Sequence, residues 1–458
     1  MTLMSMHTAP CSANQVAQGA PAEIVLWGPD LLGLLFYVFV EYTRIAIVYP
    51  ALAPLQLGKV SLLAALTGSL FSRTAGQAEG NRIMKFLIML LGLLTLVSGL
   101  LASYGVIPAS DLWNIPEQLI IVFVIGRVVA NDWRAKRFLF VLLLLMLKVA
   151  QHGLRTYAVE HAQTTDEMAF VRFGIIGGGR GFYDNSADLG VAMCVMFGLA
   201  VALFQADIAR KWKMYFLLCA SAFGALILVC GSRGAIVGGA AIVLATTARS
   251  ARKSWALVIL LTFVIGIFFL MPHASRDRFK SAEDYKNDET ANHRVELWMA
   301  GLRMWHDYPV LGVGPANFAY VRAAGYRIAA MHDSEAYVCH SLYIQVLSEL
   351  GTLGSIAAAG VILMFFRITG RIRRHLRECK VDGRDWQFCL ASGLQLAMLG
   401  YLVSGAFVSV FWYPHIWVLC GLAIGLNTAV AARLNLLAVD GNPRSALLRR
   451  LEGAHELA

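Results

Sequence analysis

Charged side chains are scarce in this chain: Asp, Glu, Lys and Arg make up 15% of its 458 residues, while 58% are hydrophobic. A soluble globular domain carries about 25% charged residues. That shortfall, with repeated apolar runs long enough to cross a bilayer, excludes a water-soluble enzyme, a disordered chain and a disulfide-stapled secreted domain. The eight cysteines form no CxxC pair and keep no regular spacing. Most of them sit inside apolar runs, as small core residues do. No HExxH, no DxD and no His/Cys set with metal-ligand spacing occurs on the outward-facing segments, so neither a metal nor another cofactor is expected. Residues 1–23 are polar and lack the charged and apolar regions of a signal peptide, and no cleavage is expected there. Low-complexity linkers and internal repeats are also missing, so residues 1–458 read as a single transmembrane domain.

What the chain does have is about twelve apolar stretches: 29–48, 54–71, 84–104, 115–130, 137–150, 188–205, 213–230, 234–248, 255–271, 341–366, 387–411 and 414–432. The net charge of +10 comes from basic clusters between these stretches, which is topogenic placement and gives no sign of a nucleic-acid partner. Arg73, Arg82 and Lys85, then Arg134, Lys136 and Arg137, then Arg210, Lys211 and Lys213, and later the run from Arg367 to Arg384 fill alternate loops. The short opposite loops near positions 51, 106–113 and 414 hold no Lys or Arg. The expected fold is therefore an all-α polytopic membrane protein with about 12 transmembrane helices and both termini cytoplasmic. Two outer segments exceed turns: 151–187, and the long loop at 272–340 between the ninth and tenth spans.

Four outer features carry candidate chemistry. In the long loop, Val295, Trp298, Leu302 and Trp305 recur at helical spacing and predict an amphipathic helix, lying on the membrane surface or packed on the bundle. The sequence Leu311-Gly312-Val313-Gly314-Pro315 then predicts a tight turn. The second feature is Arg233, within Gly231-Ser232-Arg233-Gly234 on a short outer turn where a basic residue is disfavoured. It reads either as an arginine snorkelling to lipid phosphates or as an anion site, since guanidinium matches phosphate oxygens. Third, Cys339-His340-Ser341-Leu342-Tyr343 stands at the mouth of the tenth span, with Glu349 deeper. His340 has the ring chemistry to take a proton from a hydroxyl, though a lone histidine there is also an ordinary interfacial hydrogen-bonding group. The fourth is the smaller loop, where Arg172 and Arg180 add positive charge and Asp184 or Asn185 is suited to cap the following helix.

The order Ser232-Arg233-Gly234, Arg294-Val-Glu-Leu-Trp298, Pro309-Val-Leu-Gly312-Val-Gly314 and His340-Ser-Leu-Tyr343, followed by Leu347 and Gly351, resembles the O-antigen ligase and polymerase superfamily over roughly residues 180–430. Val40-Glu41-Tyr42-Thr43-Arg44 with Tyr49-Pro50, and Tyr401-Leu-Val-Ser-Gly405, are similar to the exosortase-associated O-glycosylation ligase branch, which usually has Arg-Pro where this chain has Arg44-Ile45. The resemblance implies an inverting, metal-independent glycosyltransferase of the bacterial inner membrane, acting on the periplasmic face. Its donor would be a glycan on undecaprenyl pyrophosphate, and its acceptor a hydroxyl of lipid A core, of another glycan or of a protein. By the same resemblance His340 would be catalytic, and Arg233 and Arg294 would bind the pyrophosphate. Arg180 is a further candidate for the headgroup, and Tyr343 and Asp184 for acceptor or supporting contacts. A polymerase or a protein O-oligosaccharyltransferase of the superfamily is the alternative. A transporter of the same lipid-linked glycan is more remote, because acidic residues are nearly absent from the middles of the spans.

Overall fold

The computed structural model describes residues 27–71, 80–102, 109–163, 185–249, 253–270, 289–326 and 337–439, and among them every regular element is helical. The helices are α1 (Pro29–Thr43), α2 (Leu57–Phe71), α3 (Asn81–Leu101), α4 (Ala109–Val128), α5 (Asp132–Gln163), α6 (Ser186–Phe204) and α7 (Arg210–Val229). They continue with α8 (Arg233–Arg249), α9 (Lys253–Leu270), α10 (Glu289–Asp307), α11 (Phe318–Gly325), α12 (Leu342–Glu378), α13 (Trp386–Gly405) and α14 (Pro414–Val439). Each apolar stretch read from the sequence overlaps one of these helices, though 29–48 and 387–411 run beyond the helix that each contains. Eight are long and apolar enough to cross a membrane: α2 with the 3-10 turn before it, α3, α5, α6, α7, α12, α13 and α14. The others differ for visible reasons. α1 and α8 have only 15 and 17 residues, α4 carries Pro116 and Glu117 in its interior, and the apolar part of α9 is confined to Leu257–Leu270.

Two helices that are apolar on every side lie inside the bundle. α6 and α14 are almost wholly buried, and α6 packs on α7, α8 and α13. The approach of α6 to α13 requires Gly198, where a Cβ would lie 2.6 Å from the backbone nitrogen of Ala397. On α3, by contrast, Met89, Leu93, Leu96 and Leu100 are exposed, as on a face turned to lipid. Polar pairs fix the helices to one another. Arg134 on α5 donates to both carboxylate oxygens of Asp30 on α1, at 2.6 and 3.2 Å, and both residues are buried. Asn81 on α3 donates to Thr428 Oγ1 at 3.0 Å and accepts from Asn427 at 3.0 Å, both on α14.

The amphipathic helix of the long loop is present as α10, and it packs on the bundle rather than standing apart from it. Its buried stripe is Leu297, Ala300 and Met304, one residue away from the expected line of Trp298, Leu302 and Trp305. The small residues decide the register: a Cβ at Gly301 would lie 2.3 Å from Ile344 on α12. Trp305 lies to one side and donates its indole N–H to Thr352 Oγ1 of α12 at 3.0 Å.

Candidate functional site

α12 begins in an unusual way. Ser341 caps it, its hydroxyl accepting the amide of Ile344, and the buried Cys339 places its Sγ 3.2 Å from Ser409 Oγ. Between these two fixed residues His340 has φ +49°, a left-handed conformation that costs an L-residue about 1–2 kcal/mol. The strain is held by the anchored residues on either side, and it points to a position where the ring's direction matters. The ring is half-buried. Burial chiefly, then the positive charge of Arg294, then His293, push the imidazole down to about 4, so that it is neutral at physiological pH. Arg294 and His293, one turn into α10, therefore lie within electrostatic reach of His340.

The same corner holds a second arginine. His293 meets the ring of Tyr337 edge-on at 5.0 Å, and the guanidinium of Arg322 on α11 lies 5.6 Å from that ring's centre. Arg322 is only 2% exposed. Nothing in the sequence distinguished it, because α11 is an eight-residue segment with no motif around it.

Arg233 reaches this end of the molecule by another route. Gly231 has φ +73°, which turns the chain sharply so that Arg233 is the first residue of α8. The amide of Ala235 donates to Ser232 Oγ at 3.3 Å and closes the first turn. A loop at residues 406–413, between α13 and α14, connects this turn to His340. A Cβ on Gly234 would touch Phe407 at 3.1 Å, Ser409 meets Cys339, and the amide of Phe411 donates to Gln345 Oε1 on α12 at 3.2 Å. Tyr413 donates to Asp188 Oδ2 at 3.1 Å, which ties in the start of α6. The N-termini of α6, α8, α12 and α14 are thus gathered around one loop. Their partial positive charges and the nearby arginines make this end of the bundle attractive to an anion.

The glycine-rich turn has a structural task. α12 is broken at Gly351 (φ +63°, ψ −164°), which strands two carbonyls and two amides inside the fold. The turn supplies all four partners. The amides of Val313 and Gly314 donate to the carbonyls of Ser348 and Glu349 at 2.9 and 3.0 Å, and the amides of Thr352 and Leu353 donate to those of Pro309 and Val310 at 2.8 and 3.2 Å. Ser98 on α3 adds its hydroxyl to the carbonyl of Leu311 at 2.6 Å. Glu349, at the break, is buried against the backbone of Ala316 and Phe318 and the side chains of Gln345 and Trp412.

The other expected residues divide. Tyr343 is half-exposed and donates its hydroxyl to the carbonyl of Leu402 at 3.0 Å, bridging α12 to α13 beside His340. Asn185 is the cap of α6, its side chain accepting the amides of Ala187 and Asp188, both at 2.9 Å. Arg180 and Asp184 lie outside the described residues, as does Arg172. The early and late motifs brace the site. Tyr42 is buried within 3.4 Å of His415 at the start of α14, Arg44 pairs with Glu41 at 3.4 Å, and Tyr401 donates to the carbonyl of Val410 in the connecting loop at 2.8 Å.

Residues 214–359 match the family profile described as O-Antigen ligase. The matched segment runs from α7 to the first turns beyond the break in α12, and so contains Arg233, Arg294, Arg322, His340 and Tyr343. No curated protein matches the chain.

Proposed function

With residues 214–359 placing the chain in the O-antigen ligase superfamily of membrane glycosyltransferase-like enzymes, we propose that it transfers a glycan from undecaprenyl pyrophosphate to an acceptor hydroxyl, with inversion. Arg294 and Arg233 bind the pyrophosphate, and Arg180 is a further contact to it. His340 receives the acceptor, with Tyr343 and Asp184 supporting. The acceptor oxygen attacks the anomeric carbon from the side opposite the pyrophosphate. The bond from that carbon to the phosphate oxygen breaks, its electron pair leaves on the pyrophosphate, and the hydroxyl proton passes to the neutral ring nitrogen of His340. Fixed guanidinium groups stabilise the developing negative charge. The observation that carries this reading is the neighbourhood of a neutral, half-buried His340 and the cation of Arg294.

In this reading the chain crosses the bacterial inner membrane about twelve times, with both termini cytoplasmic and residues 272–340 forming a periplasmic loop that contributes α10 to the site. The alternation of basic clusters supports it, as does the overlap of each apolar stretch with a helix, eight of these helices being long and apolar enough to cross a membrane. The acceptor is lipid A core or a similar hydroxyl. A polymerase or a protein O-oligosaccharyltransferase would use the same arginines and histidine with a different acceptor.

The test is gel analysis of lipopolysaccharide and surface polysaccharide from a deletion strain complemented with the native chain or with His340→Ala. Long chains left on the prenyl carrier, with the lipid core bare, are expected of a ligase. Single repeat units on the acceptor would overturn that reading in favour of a polymerase, and full activity of His340→Ala would overturn the site. A tag placed after Pro272 that is reached only from the cytoplasm would overturn the topology.

A further inference from the structure

At the end of the bundle opposite His340, three arginines converge without a counter-charge. Arg373, on the last turns of α12, donates to Gln395 Oε1 of α13 at 2.8 Å, and Gln395 is itself held by Thr369 Oγ1 at 3.2 Å. The guanidinium groups of Arg373 and Arg377 lie over the same ring, Phe388, each 5.2 Å from its centre. Arg249, the last residue of α8, is within Coulombic reach of Arg373. The nearby carboxylate is committed elsewhere: Asp385 caps α13 and pairs with Arg433 at 3.0 Å. Among the described residues no carboxylate pairs with Arg249, Arg373 or Arg377, and the Nε of Arg373 is buried without a hydrogen-bond partner.

Three like charges on two helices repel one another, and a buried guanidinium N–H without an acceptor costs the desolvation of that donor. An anion between them relieves both. We propose that Arg249, Arg373 and Arg377 form a second anion site, which takes the phosphate of an anionic phospholipid headgroup from the leaflet at this end of the bundle. The chemistry fits a phosphate, since Gln395 fixes the Arg373 fork and Arg377 lies against the same Phe388 ring, so two guanidinium groups are held at one place. The level also fits. Trp133, Trp212 and Trp386 stand at this same end, with Lys136 over Trp386 at 5.3 Å and Arg137 over Trp133 at 4.4 Å, the arrangement of an aromatic belt at the headgroups.

Native mass spectrometry of the full-length, delipidated protein tests the proposal, with phosphatidylglycerol titrated against phosphatidylcholine at equal concentration and inorganic phosphate added separately. A saturable phosphatidylglycerol adduct is expected. Arg373→Gln and Arg249→Gln should each weaken it about fivefold, whereas Arg374→Gln, exposed on the same stretch of α12, should leave it within twofold. Inorganic phosphate that displaces the lipid at millimolar concentration, and binds with the same dependence on Arg249 and Arg373, would assign the site to free phosphate and overturn the headgroup as its occupant. Equal binding of the two lipids, or equal losses in Arg374→Gln and Arg373→Gln, would reduce the site to a diffuse basic surface and overturn the proposal. Should Arg373→Gln not fold, Arg249→Gln and Arg377→Gln, on exposed side chains, carry the same comparison. These probes do not touch the His340 end, so their failure leaves the transfer reading standing.

Discussion

Gly312 and Gly351 face each other so closely that a Cβ on either would lie 2.6 Å from the backbone nitrogen of the other, and both have positive φ. A turn of the long loop is thereby fastened into the break of a 37-residue helix. Unbroken, α12 would run to about 55 Å, well beyond a hydrocarbon core of about 30 Å.

Alanine at Gly312 or Gly351 is therefore expected to cost at least the 1–2 kcal/mol of a left-handed L-residue, with the backbone clash added. Gly370→Ala, in the same helix with nothing nearer than Gln395 at 3.8 Å, should be neutral or stabilising by about 0.5–1 kcal/mol. Thermal unfolding of the purified variants decides it, and equal melting temperatures for all three would remove the break from the architecture.

The charge of Arg294 next to His340 leads to a pH dependence. His340 is neutral above about pH 4 in the free enzyme. In the proposed reaction a pyrophosphate bound at Arg294 would offset that cation, so the acid limb of kcat is expected at higher pH than the acid limb of kcat/KM. Arg294→Gln removes one cause of the lowering, raises the proton affinity of the ring and moves the free-enzyme limb up, while Arg294→Lys keeps the charge and leaves the limb nearly in place. His340→Ala should lower kcat by about 10²- to 10⁴-fold. A pH profile of transfer by the reconstituted variants checks the direction, and an unmoved limb in Arg294→Gln would separate the two residues functionally.

If the proposed donor site is right, donor affinity will separate Arg233 and Arg294 from their neighbours. Each charge-assisted contact to a phosphate is worth about 1.5–3 kcal/mol, so Arg233→Ala and Arg294→Ala are each expected to raise the donor KM by about 10- to 100-fold. Arg303→Ala, on the same helix as Arg294 but exposed, should stay within twofold. Steady-state transfer with a prenyl-pyrophosphate glycan measures all three. A KM for Arg294→Ala no higher than that of Arg303→Ala would place the pyrophosphate elsewhere.

The eight long apolar helices were legible because membrane spans announce themselves by length and hydropathy. The Asn185 cap, the turn before Arg233 and the glycine turn at 311–315 were legible too, since each rests on a local rule. The connecting loop was not. The stretch 387–411 read as one span, yet the helix stops at Gly405, because Phe407, Val408, Val410 and Phe411 are apolar for burial within the loop rather than for lipid. Hydropathy cannot separate these two reasons. The register of α10 escaped for a related cause: attention to Trp298 and Trp305 favours large residues, whereas close approach to α12 is made by Ala300 and Gly301. Arg322 could not be found at all, since its importance arises only when α11 meets Tyr337.

The ion pair of Asp30 and Arg134 offers a stability test away from the reacting end. With 2% and 4% exposure, neither residue has water to fall back on, and Arg134 makes two contacts to the carboxylate. Removing one partner of a buried pair leaves a charge uncompensated and typically costs about 3–5 kcal/mol, whereas replacing both with apolar residues of similar volume is often neutral. Asp30→Leu is accordingly expected to unfold at markedly lower temperature than the native chain, and Asp30→Leu with Arg134→Met to recover most of the loss. Because the pair joins α1 to α5 and touches no residue assigned to the donor, kcat per folded molecule should be unchanged in the double variant. Thermal unfolding and transfer rate on the same preparations separate the two effects. A double variant as unstable as the single one would mean that the pair contributes net attraction beyond mutual neutralisation.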